Sequence, residues 1–195
     1  MTKDEVLQHY RASGALLEGH FLLTSGLHSP IYMQSAKVLS HPARAEALCK
    51  ALADTIRAKL GPNPVDIVCS PAMGGVVVGY ELARQLGVPA IFTERVDGKF
   101  ALRRGFEIEP GARVLMAEDV VTTGKSSREC IDCITEHGGV TVAASCIVDR
   151  SDGEVDLGVP LFALCGFKVP AYRADELPPE MQKLPAIKPG SRGLK

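Results

Sequence analysis

The stretch Val114-Leu115-Met116-Ala117-Glu118-Asp119-Val120-Val121-Thr122-Thr123-Gly124-Lys125-Ser126 limits what this chain can fold into more than any other. Its apolar run, Val114 to Ala117, reads as a strand buried on both faces, as in a parallel sheet covered by helices. Glu118 and Asp119 follow where that strand is expected to end. A turn of small and hydroxyl-bearing residues, Thr122 to Ser126, then leads into a helical pattern over Ser127 to Glu136. In open α/β sheets, ligands bind outside the carboxyl ends of the strands. A small-residue loop at a helix N-terminus offers backbone N–H groups and the positive end of the helix dipole to a phosphate.

The carboxylates narrow the ligand class. Gly124-Lys125-Ser126 resembles the end of a nucleoside-triphosphate loop, but that motif needs a glycine at position 119, which is Asp. Two adjacent carboxylates would also repel a polyphosphate laid across them. They suit vicinal hydroxyls beside a single phosphate, as in a ribose 5-phosphate. Glu118 and Asp119 would accept from the 2- and 3-hydroxyls, and the loop would hold the 5-phosphate. A strand, turn and helix with no ligand would use Thr122 or Thr123 as a cap, and would need no acidic pair beside it.

A chain of 195 residues is long enough for one domain with a substantial core. Its 46% hydrophobic and 23% charged residues are the balance of a soluble globular protein, with no apolar run of membrane-spanning length. The start, Met1-Thr2-Lys3-Asp4-Glu5, lacks the basic and apolar regions of a signal peptide. A net charge of −1 gives no electrostatic footprint for nucleic acid. The six cysteines lie mostly in apolar runs, which suits reduced thiols in the cytoplasm. Cys130 and Cys133 make a C-x-x-C, but about two turns into a helix rather than at its N-terminus, and with only His137 near. They read as two buried or half-buried helix thiols.

Along the chain, helical patterns are expected over Asp4–Ala12, His41–Leu60 and Val76–Leu86, and strands over Val65–Cys69, Ala90–Thr93, Val140–Val148 and Leu161–Cys165. Thr2 and Glu5 form a capping box, and Ser13-Gly14 ends the first helix. Ser70 to Gly75 is a glycine-bearing turn, and Val96 to Gly111 an irregular basic stretch. Strands alternating with helices predict a doubly wound parallel sheet within one domain covering residues 1–195. Residues 1–40 would form a small N-terminal hood, and the proline-rich tail, 169–195, would wrap the surface or be partly disordered.

The acidic pair and hydroxyl loop resemble the signature of type I phosphoribosyltransferases. The segment Thr24-Ser25-Gly26-Leu27-His28-Ser29-Pro30-Ile31-Tyr32 resembles the hood of their orotate-specific branch, and Asp149-Arg150 closes the Val140 strand as in that branch. The resemblance covers most of the chain. It implies that Glu118, Asp119, Val120, Val121, Thr122, Thr123, Gly124, Lys125 and Ser126 bind 5-phosphoribosyl 1-diphosphate, together with Arg95 and with Ala72, Met73 and Gly74 in the second turn. Orotate would meet Thr122, Arg150, Thr24, Ser25, Gly26 and Tyr32. A planar guanidinium fork suits its carboxylate, and the alternative for Arg150 is a surface ion pair with Asp152. The mobile catalytic loop would be the Glu94–Gly105 segment, with Lys99, Arg103 and Arg104 as catalytic cations; the alternative is a solvated basic hairpin.

The sequence departs from the commoner family pattern. Met73 and Gly74 stand where Tyr and Lys are usual, Thr24 replaces a lysine, and the basic loop has no histidine. His28 and Lys37 are the cations nearby in sequence that would compensate. The resemblance further implies a homodimer in which this loop closes over the neighbouring subunit's site. It implies Mg²⁺ carried by the diphosphate substrate rather than by a protein cage, and no nucleic-acid or membrane partner. Two alternatives share the Glu118–Ser126 stretch: a purine or xanthine phosphoribosyltransferase, and a regulator that senses the ribosyl donor without turnover.

Overall fold

The computed structural model describes residues 1–23 and 26–188. Helix α1 (Lys3–Ala12) opens with the expected capping box. The Glu5 N–H donates to Thr2 Oγ1 at 3.3 Å, and the Thr2 N–H donates to the Glu5 carboxylate at 2.6 Å. The N-terminal hood contains an antiparallel hairpin, β1 (Leu16–Leu22) and β2 (His28–Met33). A short helix α2 (Ser35–Leu39) follows, then α3 (Pro42–Leu60), with proline in its first turn and Gly61 as its C-cap.

The central sheet contains β3 (Ile67–Pro71), β4 (Ala90–Val96), β5 (Lys99–Leu102), β6 (Arg113–Val121), β7 (Val140–Asp149) and β8 (Leu161–Gly166), in the order β5-β4-β3-β6-β7-β8. Every pairing is parallel except β4 with β5. The doubly wound parallel sheet therefore carries an antiparallel edge strand, which the sequence reading had as an irregular stretch. Asp97 and Gly98, both at positive φ, form the two-residue turn between β4 and β5, the chemistry that Asp-Gly favours.

Alternation along β6 sends side chains to two cores. Leu115 and Ala117 pack with Leu48, Leu52 and Ile56 of α3 and Leu82 of α4 (Gly74–Leu86). Val114 and Met116 pack with Cys130, Cys133 and Ile134 of α5 (Lys125–Glu136). The C-x-x-C thiols are thus buried in the second core. Burial also raises Cys133 to about 11, so it is a poor nucleophile.

The tail wraps the hood rather than trailing away. Tyr172 bridges His28 of β2, Ile187 bridges Phe21 of β1, and Met181, on the short helix α6 (Pro179–Gln182), is buried.

Helix α4 approaches the sheet closely through Gly79, where an added Cβ would lie 2.5 Å from Ser70 Oγ and 2.8 Å from Ser70 Cβ. Alanine normally stabilises a helix interior by about 1 kcal/mol over glycine. Here the clash should reverse the sign. Gly79→Ala is expected to lower stability by roughly 1–3 kcal/mol, read as a fall in the denaturant midpoint; a rise would show that α4 has room to retreat.

Candidate active site

Strand order places the site. The chain moves from β3 to β4 on one side and takes up β6 on the other side of β3. The loops leaving β3 and β6 therefore diverge, to α4 in one layer and to α5 in the other. Such a switch point leaves a crevice at the carboxyl ends of the strands. The turn at Ala72 to Gly74, the loop at Thr122 to Gly124 and the residues after Asp149 all open onto that end of the sheet.

The acidic pair lies inside β6, not beyond it, because the strand continues to Val121. Neighbouring strand residues face opposite sides, and each carboxylate meets a different element. Glu118 accepts a short hydrogen bond from Ser127 Oγ on α5. The backbone N–H groups of Val120 and Asp119 and the Ser35 hydroxyl of α2 act on Asp119, and the Ser35 hydroxyl meets the Tyr10 hydroxyl of α1 at 3.0 Å. Burial raises both carboxyls, Glu118 to about 7. A half-desolvated acidic pair at a strand's end is poised to accept hydroxyl hydrogen bonds.

The two loops are shaped around this pair. Gly74 lies so close that a Cβ there would stand 2.8 Å from Asp119 Oδ1, so the lysine of the commoner pattern would displace the carboxylate. The Ala72–Met73 peptide before it is cis. On the other loop Gly124 has φ +69°, and a Cβ would strike Val155 at 2.5 Å and Leu157 at 2.8 Å. Arg128 secures the loop from below, donating to the carbonyls of Thr123 at 2.7 Å and Asp156 at 2.9 Å. No side chain caps α5 at Gly124, and the Lys125 N–H reaches Thr123 Oγ1 only at 3.4 Å. The first-turn amides of α5, with exposed Thr122 and Thr123, are open to an anion.

Arg150 sits beside this loop, its N–H donating to Val121 O at 2.8 Å. Asp149 fixes the turn that carries it, accepting from the Ser151 and Gly153 N–H groups, both at 2.8 Å, and from Ser151 Oγ at 2.7 Å. The Arg150 Nε is buried without a hydrogen-bond partner among the described residues, so the alternative of a surface ion pair with Asp152 does not account for it. Burial pushes its pKa down, while Tyr32 of β2 acts on it in the opposite sense. A half-buried guanidinium with a buried, unpartnered Nε has the donor geometry that suits a planar anion.

The phosphoribosyl transferase domain model matches residues 34–158. The orotate phosphoribosyltransferase of Maricaulis maris is 59% identical over 194 residues, covering 100% of both chains. That of Caulobacter vibrioides is 58% identical over 195 residues, again 100% of both. The chain belongs to the orotate phosphoribosyltransferase family. The crystal structure of orotate phosphoribosyltransferase from Aeropyrum pernix is similar in fold, with TM-score 0.67 and 24% identity over 83% of this chain and 93% of that one.

Other residues expected from the orotate phosphoribosyltransferase pattern are placed less simply. The β4–β5 hairpin carries Arg95 and Lys99, and Arg103 and Arg104 follow directly after β5. Arg104 makes a two-pronged ion pair with Glu94 at 2.8 and 2.9 Å, and Arg95 bonds Glu129 and the Gly98 carbonyl while lying 4.2 Å over the Phe100 ring. Lys99 and Arg103 are exposed. Lys125 is exposed too, 3.9 Å from Glu129. Gly26 and Tyr32 belong to the hood hairpin, whereas Thr24 and Ser25 lie outside the described residues. His28 Nδ1 is engaged by His20 Nε2 at 2.6 Å, so it is tied into the hood.

Sequence reasoning missed Ser35, Tyr10, Ser127 and Arg128 as supports of the site. The partners of Tyr10 and Ser35 are far along the chain, while Ser127 sits nine residues from Glu118 and Arg128 five from Thr123, and only the turn into α5 brings them together. The turn built by Asp149 was legible, since an Asp followed by Ser151, Asp152 and Gly153 is a turn signature.

Glu118 gives the site a pH signature. Between about pH 4.5 and 7 the folded chain binds a proton at Glu118 that the unfolded chain releases, so this residue weakens the fold as pH rises through that window. Glu118→Gln should gain up to roughly 3 kcal/mol over the parent at pH 8, and almost nothing at pH 4.5, in denaturant midpoints. An equal gain at both pH values, or a loss at pH 8, would contradict the buried, uncompensated carboxylate.

Proposed function

We infer that this chain joins orotate to 5-phosphoribosyl 1-diphosphate, giving orotidine 5′-phosphate and diphosphate, a reaction of pyrimidine nucleotide synthesis. Family membership sets the reaction class. At the level of the site, the observation that carries the reading is the buried, unpartnered Nε of Arg150 at the level where β6 gives way to its loop. Orotate carries a carboxylate on a planar ring; hypoxanthine and xanthine carry none.

In this reading Glu118 and Asp119 accept from the ribose hydroxyls. The loop from Val120 to Ser126 and the first-turn amides of α5 hold the 5-phosphate. Ala72, Met73 and Gly74 line the diphosphate with backbone, aided by Arg95. Arg150 holds the orotate carboxylate, with Thr122 on one side and Tyr32 and the Thr24–Gly26 tip of the hood on the other. N1 of orotate displaces diphosphate at C1 of the ribose through an oxocarbenium-like transition state. Positioning and charge stabilisation then supply most of the rate. Lys99, Arg103 and Arg104 are the cations assigned to the leaving diphosphate. Arg104 reaches it only by releasing Glu94, so Lys99 and Arg103, both exposed, are the readier pair.

Mg²⁺ belongs to this scheme as a passenger on the diphosphate, where it neutralises charge. Among the described residues no group of three or more His, Cys, Asp or Glu side chains is gathered for a metal ion. The backbone-lined turn at Ala72 to Gly74, without its usual lysine, fits a diphosphate that brings its own cation. A homodimer is supported by α4, whose outer face exposes Met73 (81%), Val77 (48%) and Tyr80 (67%) at one-turn spacing. A second copy seated there borders the diphosphate turn, to which Met73 belongs. Six free, buried cysteines fit a reducing cytoplasmic setting, and no helix among the described residues is long and apolar enough to cross a membrane. The chain is read as a single phosphoribosyltransferase domain, residues 1–40 supplying the hood and 169–195 the tail.

The test is loss of orotate absorbance in the presence of donor and Mg²⁺, with hypoxanthine, xanthine and uracil in parallel. Orotate consumption dependent on both partners is expected. Donor binding without turnover of any base would favour the sensing regulator instead. Arg150→Ala should raise KM for orotate at least tenfold, the loss of a charge-assisted pair of about 1.5–3 kcal/mol, and change KM for the donor less than threefold. Equal effects on both substrates would remove Arg150 from the orotate subsite.

A further inference from the structure

The tail is bonded to both outer edges of the hood hairpin, close to its tip. On the β2 edge, the His28 N–H donates to Tyr172 O and the Tyr172 N–H to His28 O, each at 2.8 Å. On the β1 edge, the Leu22 N–H donates to Ile187 O and the Ile187 N–H to His20 O, again each at 2.8 Å. Leu22 and His28 face each other across the hairpin, so both outward-facing edges are taken up at the same level. Between those contacts Met181 is buried, anchoring the tail in the protein.

A side-chain chain of hydrogen bonds crosses the hairpin as well. His20, 5% exposed, donates from Nδ1 to Leu184 O at 2.9 Å, which makes neutral His20 the Nδ1–H tautomer. Its Nε2 then accepts from His28 Nδ1 at 2.6 Å. The tail, β1 and β2 are thereby linked in one line. On the same hairpin, Phe21 lies 5.8 Å from the Tyr32 ring, so the strand next to the tail packs directly on Tyr32.

An isolated two-stranded hairpin is marginal in water. We propose that residues 172–187, through His20, are a positioning element for the orotate subsite, holding in place the hairpin that carries Tyr32, the hood residue assigned to orotate above. The proposal rests on the orotate reading above. It assigns no contact between the tail and the substrate. The tail acts through the hairpin, and so it bears on orotate and not on the ribosyl donor, whose cradle is built on β6, α2 and α5.

The full-length variant Ile187→Pro deletes the N–H donated to His20 while costing little packing, since Ile187 is 56% exposed. It should raise KM for orotate about fivefold, what one lost hydrogen bond of about 1 kcal/mol corresponds to. KM for the donor and kcat should stay within twofold. His20→Phe should do the same, and His20→Asn, which keeps a donor in the place of Nδ1, should restore orotate KM toward the parent value. Unchanged orotate KM in both Ile187→Pro and His20→Phe, or equal rises for both substrates, would overturn the proposal. Failure of the parent protein to use orotate would instead overturn the functional reading, and this one with it.

Discussion

The rest of the structure is arranged around two adjacent carboxylates held partly out of water. Burial disfavours the charge on Glu118 and on Asp119, and their closeness adds to the cost for Glu118. Glu118 is met by Ser127 from α5, and Asp119 by the backbone N–H groups of Val120 and Asp119 and by Ser35 from α2, which leaves acceptor capacity on Glu118 unfilled. That incomplete satisfaction has a physical use. A ligand with two adjacent hydroxyls supplies the missing donors, and water supplies them poorly in a crevice. Gly74 follows from the same constraint, because any side chain there would strike Asp119.

The second subsite repeats this logic with the opposite sign. Arg150 is a half-buried cation whose Nε is a buried, orphan donor, placed by an aspartate that spends its hydrogen bonds on the turn. Acidic cradle and basic socket are joined through one backbone bond, from the Arg150 N–H to Val121 O. Two reactants held by groups this closely tied share one frame. Orientation of this kind is how a displacement between two bound molecules gains most of its rate.

Much of this was legible because it is local. The apolar run before Glu118, the hydroxyl loop, the strand–helix alternation and the arginine after Asp149 each occupy consecutive positions. The β6 strand was read too short because Glu118 and Asp119 are poor strand formers, and parallel pairing with β7 through Val121 overrides that preference. The β4–β5 segment reads in sequence as an irregular basic stretch with a solvated basic hairpin as the alternative, and Asp97-Gly98 carries the hairpin signal. Arg95 and Arg104 are each paired with a carboxylate there, which the basic pattern alone does not show. The supports at Tyr10 and Ser35, and the tail's grip on the hood, join residues distant in sequence, whereas Ser127 lies only nine residues from Glu118 and was missed because the strand and helix between them fold it back.

The account stands most directly on the structure of the protein with orotidine 5′-phosphate bound. It predicts the ribose hydroxyls within hydrogen-bond distance of Glu118 and Asp119, the phosphate on the first-turn amides of α5, and the carboxylate on Arg150 Nε. A product whose carboxylate lies away from Arg150, with that Nε still unpartnered, would contradict it.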